Sequence, residues 1–268
     1  MKHLLILGLI ATSIISCKDT TEKTILKDIT AEKVEVMATE TEAGIANLKI
    51  NPISHATMVL EWDGNVIYVD PIGGAAAFKN VPKPDLILIT DIHGDHMSME
   101  TVTAIATDET GIITPAAVAK NIPDNLKNQS AVIENGKTIV AKESDGFSIT
   151  AIPMYNLREE ALKFHTKGRG NGYVIEHKSK RVYISGDTED IPEMRALKNI
   201  DVAFVCMNLP YTMTVDSAAD AVIEFAPKKV YPYHYRGTDE LSDVAKFKTL
   251  VNAGNPDVEV VQLDWYAE

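Results

Sequence analysis

Cysteine is scarce: the 268 residues hold only two, Cys17 and Cys206. Two thiols build neither a disulfide framework nor a cysteine-rich zinc site. Positive charge is also short, with 26 Lys and Arg against 38 Asp and Glu and a formal net charge of -12. A surface of that sign repels polyphosphate, so general nucleic-acid binding is excluded. No apolar run spans a bilayer, since the run from Leu4 to Ile15 is too short. Glycine and proline, 15 and 12, stay at ordinary levels, which excludes collagen and low-complexity chains. What remains is globular composition, 45% hydrophobic and 24% charged, in a chain long enough for a sizeable core.

The first segment reads as an address. Lys2 gives a positive start, a short apolar run follows, and Ile14-Ile15-Ser16-Cys17 closes it. That ending resembles the lipobox of bacterial lipoproteins, in which the cysteine is lipidated; the bland reading is a secretory signal with an incidental cysteine. The expectation is a signal peptide over 1–16, a lipid-anchored tether over 17–47 and a folded domain over 48–268. The tether is read from its alternating Thr, Glu, Lys and Asp. The implied location is the bacterial cell envelope, periplasmic or surface-facing, with the membrane as partner through the anchor. Cys206, inside DVAFVCMN, reads as a small buried hydrophobe.

From residue 48 the pattern is strands first, then alternating helices and strands. LKINPI, ATMVLEW and NVIYVD are β-type runs, and Asp63-Gly64 between the last two predicts a hairpin. DLILIT is continuously apolar, as for a strand buried on both faces. Helices are predicted over Met97–Ala106 and Pro115–Lys120. AVIENG, KTIVAKE, FSITAIPM, GYVIEHK, RVYISGD and DVAFVCMN read as further strands. Val215–Phe225 is predicted as a helix capped by Thr214, KKVYPYHY as a strand, Glu240–Val251 as a helix and VEVVQLDW as the last strand. The order β then βαβα occurs twice, which predicts two mixed layers packed face to face with helices outside.

Chemistry concentrates at strand ends. Asp91-Ile92-His93-Gly94-Asp95-His96 begins where DLILIT stops and puts two imidazoles and two carboxylates into six residues. Such groups converge on one or two divalent ions; the bland alternative is a polar turn capping the next helix. Asp187 ends RVYISGD, His234 ends KKVYPYHY, and His165 sits in the loop FHTKGRGNGY. His55 and Asp70, near ends of early strands, read equally as structural groups or as groups supporting metal ligands. Lys167 and Arg169 read as anion-binding or as solvated loop charges, and His177, in EHKSKR, as exposed.

At these residues the chain resembles the metallo-β-lactamase superfamily, nearest its L-ascorbate-6-phosphate lactonase-like branch. The matching stretches are HATMVLEWDGNVIYVDP, LILITDIHGDH, FHTKGRGNGYVIE, VYISGDT, MNLPYTM and VYPYHYRG. The resemblance implies an α+β fold, a four-layer αββα sandwich of two mixed sheets with the metals at one edge. Against the family motif H-x-H-x-D-H, the first histidine is Asp91, while His93, Asp95 and His96 match. Asp187 matches the bridging aspartate and His234 the last histidine. Asn156 stands where a middle histidine is usual, and His165 is its substitute. One position then uses Asp95, His96, Asp187 and His234; the other uses Asp91, His93, Asp187 and either His165 or Asn156. Zinc is the first expectation, with Mn or Mg favoured by the added oxygen ligands. Tyr211, Thr212 and Tyr235 line the pocket on the same analogy.

The implied activity is hydrolysis of an ester, lactone or phosphodiester bond in a small-molecule substrate by metal-activated hydroxide, with Asp95 and His96 in the catalytic set. The alternatives are a phospholipase-like phosphodiesterase acting on membrane lipid and a non-catalytic binding protein with a degenerate metal site.

Overall fold

The computed structural model describes residues 45–141, 146–238 and 240–266. Cys17, the signal segment and most of the expected tether lie outside the described residues. Three strands open the domain, β1 (Leu48–Ser54), β2 (Thr57–Trp62) and β3 (Asn65–Val69), and all pair antiparallel. Asp63 and Gly64 turn the β2–β3 hairpin with φ of 48° and 84°, the paired left-handed conformations of a tight hairpin. β4 (Leu86–Leu88), β5 (Gly111–Thr114) and β6 (Ser130–Val132) then add in parallel, giving a six-stranded sheet in sequence order.

The second sheet repeats the plan. β7 (Thr138–Ala141), β8 (Phe147–Met154), β9 (Gly170–His177) and β10 (Lys180–Ile184) pair antiparallel. β11 (Val202–Cys206), β12 (Lys229–Tyr233) and β13 (Glu259–Val260) add in parallel. The helices are α1 (Met99–Ile105), α2 (Ala116–Ala119), α3 (Pro192–Arg195), α4 (Val215–Phe225) and α5 (Val244–Gly254). Among the described residues no helix is long and apolar enough to cross a membrane.

Strand alternation builds the layers. Leu86 and Leu88 of β4 join the core shared with Phe147, Ile149, Tyr173 and Phe204 of the second sheet. Ile87 and Ile89 point the other way, into a smaller core with Val102 and Ile105 of α1 and Val118 of α2. On the second sheet, α4 buries Ala218, Ala219, Val222 and Phe225. Thr214 caps α4 by accepting from the Ser217 amide. The result is the expected α+β sandwich.

Several expectations shift. β5 was not anticipated: GIIT is four residues between turns, too short to show a period. α5 starts at Val244 rather than Glu240, because Asp243 accepts from the Lys246 amide and fixes the start there. β13 keeps two residues of the run VEVVQLDW. His177 is buried, not exposed: it stacks on Phe147 at 4.1 Å and meets the Trp62 ring edge-on. Cys206 is buried as expected, and burial pushes its thiol up to about 12.

Candidate metal centre

The site is assembled from segments that end strands on one side of the sandwich. Three of its residues turn there with left-handed backbone: His55 at φ 47°, Asp70 at 46° and His234 at 46°. Such a conformation costs a side-chain-bearing residue on the order of 1 kcal/mol, and strain of this kind gathers at functional sites. Gly186 (φ 61°) makes the turn from β10 into Asp187, and a Cβ there would lie 2.6 Å from the Met154 sulfur. Gly170 lets β9 pass beside the end of β4, where a Cβ would lie 2.8 Å from the Thr90 carbonyl oxygen.

Two groups of ligand-type side chains result: Asp95, His96 and His234, and Asp91, His93 and His165. Asp187 stands between them. One of its oxygens, Oδ2, lies 3.3 Å from His96 Nε2 and 3.2 Å from His165 Nε2, and Oδ1 lies 3.3 Å from His234 Nε2. Asp95 Oδ2 is 3.4 Å from His234 Nε2. The sequence-predicted Asp91, His93, Asp95, His96, His165, Asp187 and His234 are thus brought together.

Supporting contacts fix which nitrogen faces inward. His96 Nδ1 lies 2.8 Å from Asp70 Oδ2, leaving Nε2 for the site. Asp70 in turn accepts from the Thr90 amide and hydroxyl at 2.7 and 2.6 Å. His165 Nδ1 faces the Tyr211 carbonyl at 3.1 Å. Asn156 donates its amide hydrogens to the carbonyls of Ala161 and Tyr211, so that amide braces the His165 loop. His55 packs edge-on against His234, with ring centroids 5.7 Å apart.

Burial and charge act together here. Burial pulls His96 down, but the Asp187 and Asp70 carboxylates outweigh it and hold it well above the usual imidazole range. Burial pushes Asp187 up, yet His234 and His96 hold it well below the usual carboxylate range. His234 is lowered by burial and raised, chiefly by Asp187, to about 8. The site therefore stabilises positive charge. His96 Nε2, His165 Nε2 and Asp187 Oδ1 are buried without a hydrogen-bond partner. Buried polar atoms left this way are rare and call for an ion, so the residues fit a divalent metal.

A cavity of about 350 Å³ opens onto His93, Asp95, His165 and Asp187, lined also by Phe164, Asn208 and Tyr211. Asn208 was missed from sequence. Its Oδ1 accepts from Thr212 at 2.5 Å, and its Nδ2 lies 3.3 Å from His234 Nε2. Two other expectations move away from the cavity. Lys167 is tied to Glu193 and Tyr155, at 2.8 and 3.2 Å. Tyr235 is buried against Tyr266, with centroids 4.9 Å apart. Neither lines this cavity.

Residues 49–234 match the family described as the Beta-lactamase superfamily domain. The chain belongs to the metallo-β-lactamase superfamily. A superfamily relative from Methanopyrus kandleri, a UPF0173 metal-dependent hydrolase, is 30% identical over 230 residues, spanning 81% of this chain and 97% of its own. Another metal-dependent hydrolase, from Thermococcus onnurineus, is 28% identical over 213 residues, spanning 76% and 92%. A solved structure from Parabacteroides distasonis, assigned as a metal-dependent hydrolase, superposes with a TM-score of 0.71 at 37% identity, covering 80% of this chain and 92% of that one. Igni18, a metallo hydrolase from Ignicoccus hospitalis, shares the superfamily fold with a TM-score of 0.67 at 22% identity, covering 81% and 95%.

Proposed function

We propose that this metal-dependent hydrolase of the metallo-β-lactamase superfamily cleaves an ester, lactone or phosphodiester bond at the Asp187-centred cavity. The observation that carries the reading is the convergence of His96 Nε2 and His165 Nε2, both buried and without hydrogen-bond partners, on the Asp187 carboxylate that lines that cavity. Asp95, His96, Asp187 and His234 would hold one divalent ion, with zinc first and Mn or Mg behind it. Asp91, His93 and His165 stand together where the family's second position falls. A bound divalent ion supplies Lewis acidity and lowers the pKa of water toward neutrality.

The chain's own groups do the rest. Asp95 is half-exposed at the cavity, and its carboxylate, held well below its usual range with His234 beside it, accepts a hydrogen bond from the attacking water. Asn208 is held by Thr212 and presents an amide N–H to an oxygen of the substrate. Phe164 and Tyr211 meet edge-on at 5.0 Å and form the apolar wall against which the substrate is oriented.

A second reading, an amphiphilic or lipid substrate, is favoured by one feature. Leu157, Leu162 and Leu209 are 46%, 46% and 39% exposed, and each lies within two residues of the site residues Asn156, Phe164 and Asn208. Acylation at Cys17 would hold the enzyme at the envelope membrane, and the lactonase-like branch would make the substrate a small phosphorylated lactone; both rest on the sequence motifs. The test is metal analysis with a hydrolysis screen over lactones, phosphodiesters and phospholipid vesicles. The expected result is bound metal and hydrolysis of one class, lost on chelation and restored by metal. His234→Ala is expected to lower metal occupancy with the fold retained. Protein that binds no zinc or manganese overturns the reading, and metal without hydrolysis supports a binding role instead.

A further inference from the structure

Arg169 lies in the glycine-flanked loop before β9, 78 residues from Asp91 in sequence. The fold turns it inward. Its Nε donates to Asp91 Oδ1 at 3.0 Å and its Nη2 to Asp91 Oδ2 at 2.6 Å, a two-bond fork on a fully buried carboxylate. The same Nη2 donates to the Phe164 carbonyl at 2.6 Å and lies 3.3 Å from His93 Nε2. His93 Nδ1 is already 3.1 Å from Asp91 Oδ2, so Nε2 is the nitrogen His93 has left to offer. Both oxygens of Asp91 and the open nitrogen of His93 therefore face one guanidinium. These are donor atoms that a second metal position, completed by His165, would present to its ion.

The other position has no such occupant. Among the described residues, the ion pairs of Asp95 and Asp187 are with histidines alone.

We propose that Arg169 takes the charge role of the second metal, so that the chain carries one divalent ion, at Asp95, His96, Asp187 and His234. This rests on the metal-centre reading above. A guanidinium keeps its proton at any physiological pH, and its planar fork matches a carboxylate in two parallel bonds. An ion entering between Asp91 and His93 would have to break that buried fork and sit against a fixed positive charge. The replacement of the family's first histidine by Asp91 then has a physical reason: an imidazole cannot accept the two-bond fork, and a carboxylate can. The site keeps two cationic centres, one exchangeable and one covalently part of the chain.

The test is metal stoichiometry, which does not depend on knowing the substrate. Purified protein is dialysed against micromolar Zn(II), and separately Mn(II), and metal per chain is measured by mass spectrometry. Wild type is expected to hold one ion. Arg169→Gln frees Asp91 and His93 and is expected to hold two, and Arg169→Gln with Asp91→Asn is expected to return to one. Two ions in wild type, or one or none in folded Arg169→Gln, overturn the proposal. No ion in wild type overturns the metal centre itself, which is a different failure. If Arg169→Gln does not fold, because it leaves Asp91 buried and unpaired, the Mn(II) spectrum of wild type decides. An isolated six-line electron paramagnetic resonance signal is expected, and a spin-coupled pair of ions overturns the assignment.

Discussion

Asp70 Oδ2 stands 2.8 Å from His96 Nδ1, both side chains fully buried. The carboxylate selects the tautomer of His96 that aims Nε2 at Asp187, and Thr90 holds the carboxylate with two hydrogen bonds. Supporting pairs of this kind set ligand orientation and basicity. Asp70→Asn keeps the shape but loses the acceptor charge. It is expected to weaken metal affinity about 10–100-fold, read by competition with a chromogenic chelator. Unchanged affinity would show that His96 is oriented by Thr90 alone.

Metal binding is expected to stabilise the fold. Asp187 and Asp95 face imidazoles and a cavity, and an ion binds the folded arrangement alone. Stabilisation follows mass action, about 2.7 kcal/mol at a metal concentration 100 times Kd. For a domain of this size that is on the order of 5–10 °C in Tm. Calorimetry with zinc and then with excess chelator checks it; equal Tm values would mean the donor groups do not act as a site.

Much of this was legible in the chain. The run DLILIT showed a strand buried on both faces, and the density of Asp91, His93, Asp95 and His96 marked its end as chemical. Asp187 and His234 were visible because each ends an apolar run. The Arg169–Asp91 fork was not legible, since contact across 78 residues leaves no local pattern. Nor was the left-handed backbone at Asp70 and His234, because neither residue is glycine. His177 was misread for a simple reason: Glu176 points out and His177 points in, a period of two that a polar setting obscured.

His177 yields a stability prediction separate from chemistry. Its ring lies 4.1 Å from Phe147 in parallel stack, and Nε2 is 3.3 Å from Asp63 Oδ2. It ends β9, whose other end at Gly170 approaches the site, so the strand's length separates the two. His177→Ala is expected to cost about 1–3 kcal/mol by leaving a void beside Trp62 and Phe147. Metal content should be unchanged. Urea unfolding with parallel metal analysis checks both, and loss of metal would show the ends of β9 to be coupled.

Acid sensitivity is expected to depend on Asp201. This buried carboxylate precedes β11, accepts from the Arg181 amide at 2.9 Å, and pairs with Lys228 at 2.7 Å and Lys180 at 3.4 Å. Burial alone would raise its pKa; the Lys228 hydrogen bond and the Arg181 amide outweigh that and hold it below the ordinary value of 3.8. The sign follows. In the window below 3.8 the unfolded chain takes up a proton at this position that the folded chain refuses. Its contribution is fully present above the ordinary value and is lost as pH falls through the folded value. Asp201→Asn removes that titration. At neutral pH the variant is expected to be less stable by about 1–3 kcal/mol, since its amide cannot match the charge-assisted bonds. As pH falls below the ordinary value of 3.8 the gap to wild type should narrow, because wild type alone loses this carboxylate's contribution there. Urea midpoints of both proteins across that range give the answer. Curves that stay parallel down to the lowest pH would show that other carboxylates, and not Asp201, set the acid limit.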